Sequence, residues 1–271
     1  MVTGGSDGIG LAMCNQLAQQ GFNICIVSRN EAKIKEKLAE INAKHPDVQT
    51  KCVAADLGKL TTIAQYKALV AEHLNDIDIG YLALNAGIGI SKIFDKADDS
   101  VVEDVMVLNG LHVVYLAKAL LPQMLKRETR SAIVITSSVA SYLPLVGGSV
   151  YSATKALERL FGVSLHYETR HKIDVLVYTP GYVNTKLLDD GKGKRTESAL
   201  RCEPEDGVRA MHKDLVRGRP TSCGSIKHSL TMMLVNSSIV QYFLLNASPK
   251  KQADEKKRES EESSIKEPLI N

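Results

Sequence analysis

A glycine-rich turn near the start of the chain constrains the fold more than any other feature of the sequence. The turn, Thr3-Gly-Gly-Ser-Asp-Gly-Ile-Gly10, leads into a predicted helix over residues 9–20, and a buried strand over 23–27 follows. A helix and a strand at this spacing are typical of a βαβ unit. Glycines in such a turn let backbone amides approach a phosphate at the helix N-terminus, which carries a partial positive charge. The alternative is a plain glycine turn; as a phosphate site it would use Gly4, Ser6, Gly8, Ile9 and Gly10.

Helix and strand patterns then alternate along most of the chain. Helices are predicted over 31–44, 60–74, 101–126, 151–170 and 204–216, and strands over 48–54, 79–84, 132–136 and 173–178. This alternation predicts an α/β fold with a doubly wound, Rossmann-type parallel sheet in a single domain over residues 1–225. Only Met1 and Val2 precede the glycine-rich turn, so we expect the first strand to be truncated. Because that strand is central in such a sheet, its loss should cost buried area and backbone pairing.

The segment after the second strand indicates which dinucleotide is bound. Sites for NAD usually place an acid there, whereas an arginine accommodates the 2′-phosphate of NADP. Arg29 stands at this point with no acid before Glu31, which favours NADP; the alternative is a surface arginine. Asp56, after the third strand, is either an acceptor for the adenine amine or the N-cap of the next helix. Small residues after Asn85 leave room for a cofactor across the strand ends.

Tyr151 and Lys155 lie four residues apart on a predicted helix, so both side chains can face one cleft. A free phenol has a pKa of about 10 and transfers protons poorly at neutral pH. A cation one helical turn away stabilises the phenolate form, which suits acid–base chemistry near neutrality. Ser138, at the end of the preceding strand, can hold a carbonyl oxygen beside the phenol. Asn109, on the long apolar helix, is either a satisfied buried amide or a holder of water near the active site.

Taken together, these motifs resemble the short-chain dehydrogenase/reductase family. The matching residues are Thr3-Gly4-x-x-x-Gly8-x-Gly10, Asn85-Ala86-Gly87, Asn109, Ser138, Tyr151-x-x-x-Lys155 and Pro180-Gly181, within residues 1–225. The resemblance implies a catalytic tetrad of Asn109, Ser138, Tyr151 and Lys155, with NADP(H) as the cofactor. It also implies that Pro180, Val183 and Thr185 lie at the nicotinamide end. Ser137 is also available, but the thirteen-residue spacing to Tyr151 favours Ser138.

Within this family the chain is similar to the branch of microsomal 17β-hydroxysteroid dehydrogenases and very-long-chain 3-oxoacyl-CoA reductases. The similarity lies in residues 27–30, 150–155 and 224–228. It implies NADPH-dependent reduction of a lipid-like ketone (a 3-oxoacyl-CoA, a sphingoid precursor or a steroid) at the endoplasmic reticulum membrane. The alternatives are a cytoplasmic reductase of small soluble carbonyls and a non-catalytic NADP-binding or scaffold protein. By analogy with the family, the helices carrying Asn109 and Tyr151 would form the face of a homodimer.

The composition argues against several other functions. A net charge of +3 and the absence of tryptophan argue against nucleic-acid binding. The five cysteines form no Cys-x-x-Cys pair and the seven histidines no His-Glu-x-x-His motif, so no metal site is predicted.

Residues 226–247 form an apolar segment, and 228–247 has three interpretations: an interfacial or hairpin membrane element, packing in a substrate cavity or oligomer, or a membrane span. The charged tail over 248–271 is expected to be disordered.

Overall fold

The computed structural model describes residues 1–89, 92–185, 201–225 and 228–229. The apolar segment 226–247 therefore lies almost entirely outside the described residues, and the charged tail 248–271 lies entirely outside them. The interpretations of both segments stay predictions.

Parallel strands form one seven-stranded sheet in the order β3-β2-β1-β4-β5-β6-β7. The strands are β1 (Val2–Thr3), β2 (Ile24–Ser28), β3 (Thr50–Ala54), β4 (Tyr81–Leu84), β5 (Ser131–Thr136), β6 (Ile173–Tyr178) and β7 (Thr221–Ser222). The chain winds outward from β1 in one direction and then from β4 in the other. This order confirms the predicted doubly wound sheet, and it places the switch in direction between β1 and β4.

Strand β1 has only two residues, as predicted, yet it occupies the centre of the sheet. Val2 lies opposite Ile26 of β2 on one side and Ala83 of β4 on the other. Thr3 is fully buried, and its hydroxyl oxygen accepts hydrogen bonds from the backbone amides of Asn85 (2.9 Å) and Ala86 (3.1 Å). The Thr3 side chain thus links the end of β1 to the end of β4, past the point at which the backbones of the two strands pair.

Helices cover both faces of the sheet. They are α1 (Gly8–Gln19), α2 (Glu31–Lys44), α3 (Ile63–His73), α4 (Asp99–Val105), α5 (His112–Lys126), α6 (Ser149–Thr169) and α7 (Pro204–Val216). Apolar residues of α3, α5 and α6 form one core with the sheet, and those of α1, α2 and α7 form a second. The two cores pack against the two faces of the sheet, and loops and helices at its carboxyl edge carry polar side chains.

A π-helical turn over Met106–Leu111 joins α4 to α5, so the predicted long helix is continuous and passes through Pro122. The stretch Asp99–Lys126 is long enough to span a membrane and contains an 18-residue window with a mean hydropathy of 1.5, half of which is buried inside the protein. That burial accounts for its apolar character. Turns of π-helix are often found at functional sites, and this one carries Asn109.

Candidate active site

A cavity of about 1040 Å³ lies at the carboxyl edge of the sheet. Open α/β sheets bind ligands at this edge, next to the switch in strand order. The predicted site residues in its lining are Gly4, Ser6, Gly8, Ile9, Arg29, Asp56, Asn85, Ser138, Tyr151, Lys155, Pro180, Val183 and Thr185. Gly10 and Asn109 lie behind the lining. Residues from opposite ends of the domain therefore meet in one cleft, while their individual roles stay predictions.

The glycine-rich turn forms the part of the cavity nearest α1. Gly4 and Gly8 have φ angles of +65° and +51°, in the left-handed region that favours glycine. A Cβ atom on Gly10 would lie 2.4 Å from the carbonyl oxygen of Gly4, so only glycine lets α1 begin this close to β1. Thr185 packs over Gly8 from the far side of the cleft. Because these residues are glycines, the turn leaves a space at the N-terminus of α1 that side chains would otherwise fill. Such a space fits the pyrophosphate of a dinucleotide.

Basic residues stand at the cavity rim beyond β2. Arg29 is exposed there, and Lys33 of α2 also lines the cavity while its ammonium pairs with Asp7 at 2.6 Å. The sequence interpretation missed Lys33, although it follows Arg29 by one helical turn. Asp56 lines the same region and accepts a hydrogen bond from the Gly58 amide, so it caps the short 3-10 helix Leu57–Lys59. The helix predicted to follow it, α3, is capped by Thr62 instead.

Asn85 holds the two central strand ends together. Its side-chain amide donates to the carbonyl oxygen of Thr3 at 3.1 Å, and the residue lines the cavity beside Gly4. Farther along the chain, Gly181 packs against the ring of buried His228, which a Cβ atom at position 181 would approach to 2.7 Å. Glycine at position 181 therefore lets the His228 ring pack against the chain where it lines the cavity.

The two neighbouring serines do different things. Ser137 is buried and donates its hydroxyl to the carbonyl oxygen of Lys155 at 2.7 Å, which ties β5 to α6. Ser138 is half-buried, lines the cavity and accepts a hydrogen bond from the Ala140 amide at 3.1 Å. An accepting hydroxyl keeps its own proton to donate. Ser138 therefore has the position and the free donor that a substrate oxygen needs.

Lys155 is held firmly beside Tyr151. Its Nζ lies 5.7 Å from the centroid of the Tyr151 ring and donates to the carbonyl oxygen of Thr136 at 3.1 Å and to Oε1 of Glu158 at 2.9 Å. Burial lowers the pKa of Lys155, but the charges of Glu158 and Tyr151 outweigh it, so the pKa lies above its ordinary value. The ammonium stays protonated, as a group that stabilises phenolate must.

Asn109 is fully buried in the π-helical turn. Its amide bonds both the amide and the carbonyl oxygen of Ile88 at 2.9 Å, and it donates to Thr154 of α6 at 3.3 Å. The structure thus matches the satisfied-amide interpretation. A Cβ atom on Gly87 would lie 3.1 Å from Oδ1 of Asn109 and 3.4 Å from Nζ of Lys155, so the two groups flank one small space. Whether that space holds a catalytic water stays a prediction.

Comparison with known proteins gives consistent matches. The profile of the short chain dehydrogenases matches residues 1–195. "Putative steroid dehydrogenase 3" of Caenorhabditis elegans is 33% identical over 85% of this chain and 72% of its own length. A very-long-chain 3-oxoacyl-CoA reductase of Bos taurus is 33% identical over 69% of this chain, which spans 60% of that relative. Among solved structures, a short-chain dehydrogenase from Sphingobium yanoikuyae in complex with NADPH matches with a TM-score of 0.74 at 22% identity, covering 100% of this chain and 97% of its own.

Proposed function

The chain belongs to the short-chain dehydrogenase family, and from this premise we propose that it is an NADPH-dependent oxidoreductase that reduces a lipid-like ketone to the alcohol. One observation carries the proposal. A single cavity is lined by the glycine-rich turn, by Arg29 and by the trio of Ser138, Tyr151 and Lys155. A dinucleotide and a carbonyl group therefore have neighbouring places in one cleft.

Residues of this chain fit each part of the cofactor. The turn over residues 4–10 and the N-terminus of α1 suit the pyrophosphate. Arg29, assisted by Lys33, suits the 2′-phosphate that distinguishes NADP from NAD. Lys155 would hold the ribose, and Pro180, Val183 and Thr185, which line the same cavity, would hold the nicotinamide end. When bound, the cofactor supplies the hydride that the carbonyl carbon receives.

The chain's own residues handle the oxygen and the proton. Ser138 donates a hydrogen bond to the carbonyl oxygen of the substrate and fixes its orientation. Tyr151 gives its hydroxyl proton to that oxygen as negative charge develops on it. Lys155 stabilises the phenolate that remains. Asn109 holds Ile88 and, by our proposal, a water that returns a proton to the site.

The substrate class is supported by apolar side chains at the cavity mouth. Residues 143–146, Leu-Pro-Leu-Val, and Tyr182 line the same cavity as Tyr151. Leu145 and Val146 are 36% and 38% exposed, so an acyl chain or a steroid nucleus would bury apolar surface there. A small soluble carbonyl would leave it in water. We propose that the protein works at the endoplasmic reticulum membrane through segment 228–247, which is described only at 228–229; a cytoplasmic location is the alternative.

Replacement of Tyr151 by phenylalanine tests the chemistry. Because general acid catalysis contributes roughly 100-fold or more, Tyr151→Phe should lose at least that much reductase activity and keep its NADPH affinity. Tyr167→Phe, at an exposed tyrosine on the same helix, is the matched control and should keep both. Turnover near the wild-type rate in Tyr151→Phe would refute the mechanism.

The substrate and the cofactor are tested in the same assay. NADPH and NADH oxidation is followed with long-chain 3-oxoacyl-CoAs, 17-ketosteroids and short-chain ketones. We expect turnover with NADPH and a lipid-like ketone. Activity confined to short-chain ketones would favour the soluble-carbonyl alternative, and NADPH binding with no turnover of any ketone would favour the scaffold alternative. The predicted homodimer is tested by sedimentation; exposed apolar residues available for it on α6 include Leu157 and Leu160.

A further inference from the structure

Glu158 is a buried carboxylate at the back of the active site. It lies on α6, three residues after Lys155 and seven after Tyr151, so the three side chains share one face of the helix. Glu158 is 1% exposed, and its Oε1 receives the Lys155 ammonium at 2.9 Å. The role assigned above to Lys155 needs only a positive charge. A carboxylate that touches this charge therefore requires an explanation of its own.

The residues around Glu158 do not satisfy the hydrogen-bonding capacity of both its oxygens, as a purely structural carboxylate would require. Its second oxygen, Oε2, is buried and has no hydrogen-bond partner among the described residues. Buried polar atoms without partners are rare in native proteins because they cost free energy. A buried ion pair is also weak evidence for stability, since an apolar pair of the same volume packs as well or better. The presence of a half-satisfied acid beside Lys155 therefore indicates that its negative charge has a function.

Few other ionisable groups act on this pair. Tyr151 lies on the same helix and adds to the charges that raise the pKa of Lys155. His112 of α5 is fully buried, and burial lowers its pKa to about 4, so it is neutral near pH 7. Arg159, the next residue along, directs its guanidinium over the Tyr142 ring at 4.3 Å. Among the described groups, Lys155 supplies the charge that acts on Glu158.

We propose that Glu158 is a positioning residue that sets how much positive charge Lys155 presents to Tyr151. The carboxylate holds the ammonium against the Thr136 carbonyl and offsets part of its charge. This proposal rests on the function proposed above and adds to it a control over the pH at which the phenol gives and takes its proton. Glu158 itself touches neither cofactor nor substrate in this assignment.

The direction of the effect follows from the charges. Burial raises the pKa of Glu158 to about 7, against the opposing effect of Lys155. When Glu158 is protonated the pair carries a net positive charge, and when Glu158 is ionised the pair is neutral. A neutral pair stabilises phenolate less than an ammonium alone does. Over the pH range in which Lys155 stays protonated, removal of the Glu158 charge should therefore let the phenolate form at lower pH.

Helix geometry gives the size of the effect. Tyr151 and Glu158 are seven residues apart, which is about 10 Å along an α-helix. At that separation and an effective dielectric constant of about 20, one unit charge moves the titration midpoint of another group by about one pH unit. We therefore expect Glu158→Gln to shift the midpoint of the kcat–pH profile for alcohol oxidation about one unit downward. The alkaline fall of ketone reduction should move with it.

The experiment measures kcat and KM across pH in both directions for four variants. Glu158→Asp keeps the charge and should keep the wild-type midpoint, with kcat lowered by the shorter side chain. Glu168→Gln, at an exposed acid on the same helix, should match the wild type throughout. Glu158→Met, which removes the charge at similar volume, should shift like Glu158→Gln and serves if the glutamine variant does not fold. NADPH binding and thermal unfolding report folding for each.

An unchanged midpoint or an upward shift in the charge-removing variants would overturn the proposal. So would a shift in Glu158→Asp as large as that in Glu158→Gln. Tyr151→Phe distinguishes failure of the proposed function from failure of the role of Glu158. If it stays active, the proposed function fails; if it is inactive while Glu158→Gln keeps the wild-type profile, only the role of Glu158 fails.

Discussion

Gly162 shows how closely α6 must approach the sheet for the catalytic pair to be in place. A Cβ atom there would lie 2.4 Å from Cγ2 of Val177 and 2.9 Å from Cδ1 of Ile135, both fully buried. Non-bonded carbon atoms prefer about 3.5–4.0 Å, so in Gly162→Ala the helix must move outward by roughly 1 Å. Overpacking of this kind costs about 1–3 kcal/mol, and we expect about 3 kcal/mol because Val177 is β-branched and held in the sheet.

The alanine also brings a gain, which has to be subtracted. Alanine is favoured over glycine in a helix by about 1 kcal/mol, so the expected net loss in the free energy of unfolding is about 2 kcal/mol. For a domain of this size, that lowers Tm by about 5 °C. Because Gly162 is seven residues beyond Lys155 on the same helix, the outward shift should also misplace the ammonium, and a misplacement of about 1 Å can cost roughly 100-fold in kcat.

Thermal unfolding of Gly162→Ala checks the expected fall in Tm, and its turnover checks the expected loss in kcat. The matched control is Gly110→Ala, because a Cβ atom at position 110 meets no atom within 4 Å. That variant should be as stable as the wild type or more stable by up to about 1 kcal/mol. If Gly162→Ala unfolds at or above the wild-type temperature, close packing of α6 on β5 and β6 does not limit stability, and the reasoning fails.

Two further substitutions test the cofactor end. Gly10→Ala places a Cβ atom 2.4 Å from the Gly4 carbonyl oxygen, so NADP(H) affinity measured by fluorescence titration should fall more than about tenfold, and wild-type affinity would contradict the assignment of the turn. Arg29→Ala would remove a charge-assisted hydrogen bond to the 2′-phosphate, which is worth about 1.5 kcal/mol at an exposed site. KM for NADPH should therefore rise about tenfold, while KM for NADH stays constant. An unchanged ratio of the two KM values would indicate that Lys33 alone selects the phosphate.

Local sequence signals predicted much of the fold. Helix α2 was predicted at its observed bounds because it is amphipathic and His45-Pro46 ends it. The structure adds that the Asn30 side chain caps its start. Strand β6 was predicted at its bounds because its residues other than Asp174 are apolar and it lies between polar residues. Strand β7 was missed, since two residues, Thr221 and Ser222, carry no periodicity. The π-helical turn was missed as well, because helix propensity does not distinguish a π-turn from an α-turn.

The site was predicted where a residue's type and position both mark it. Arg29 and Ser138 follow strand ends and line the cavity, as expected. Thr3 was recognised as part of the glycine motif, but its role was missed because a threonine before a glycine turn gives no sign that its hydroxyl will bond a strand 80 residues away. Glu158 was missed because a charged residue on a long helix is usually exposed. Its spacing from Tyr151 and Lys155 is the signal that could have found it.

The meeting of the two halves of the sheet at β1 and β4 bears on how the cofactor affects stability. Gly4 follows β1, Asn85 follows β4, and both residues line the cavity. A dinucleotide bound there would contact both halves of the sheet, so its binding would oppose their separation. At about 100 times its Kd it would add about 2.7 kcal/mol to the free energy of unfolding. The supply of NADP(H) in a cell would therefore affect the fraction of folded protein as well as the rate of turnover.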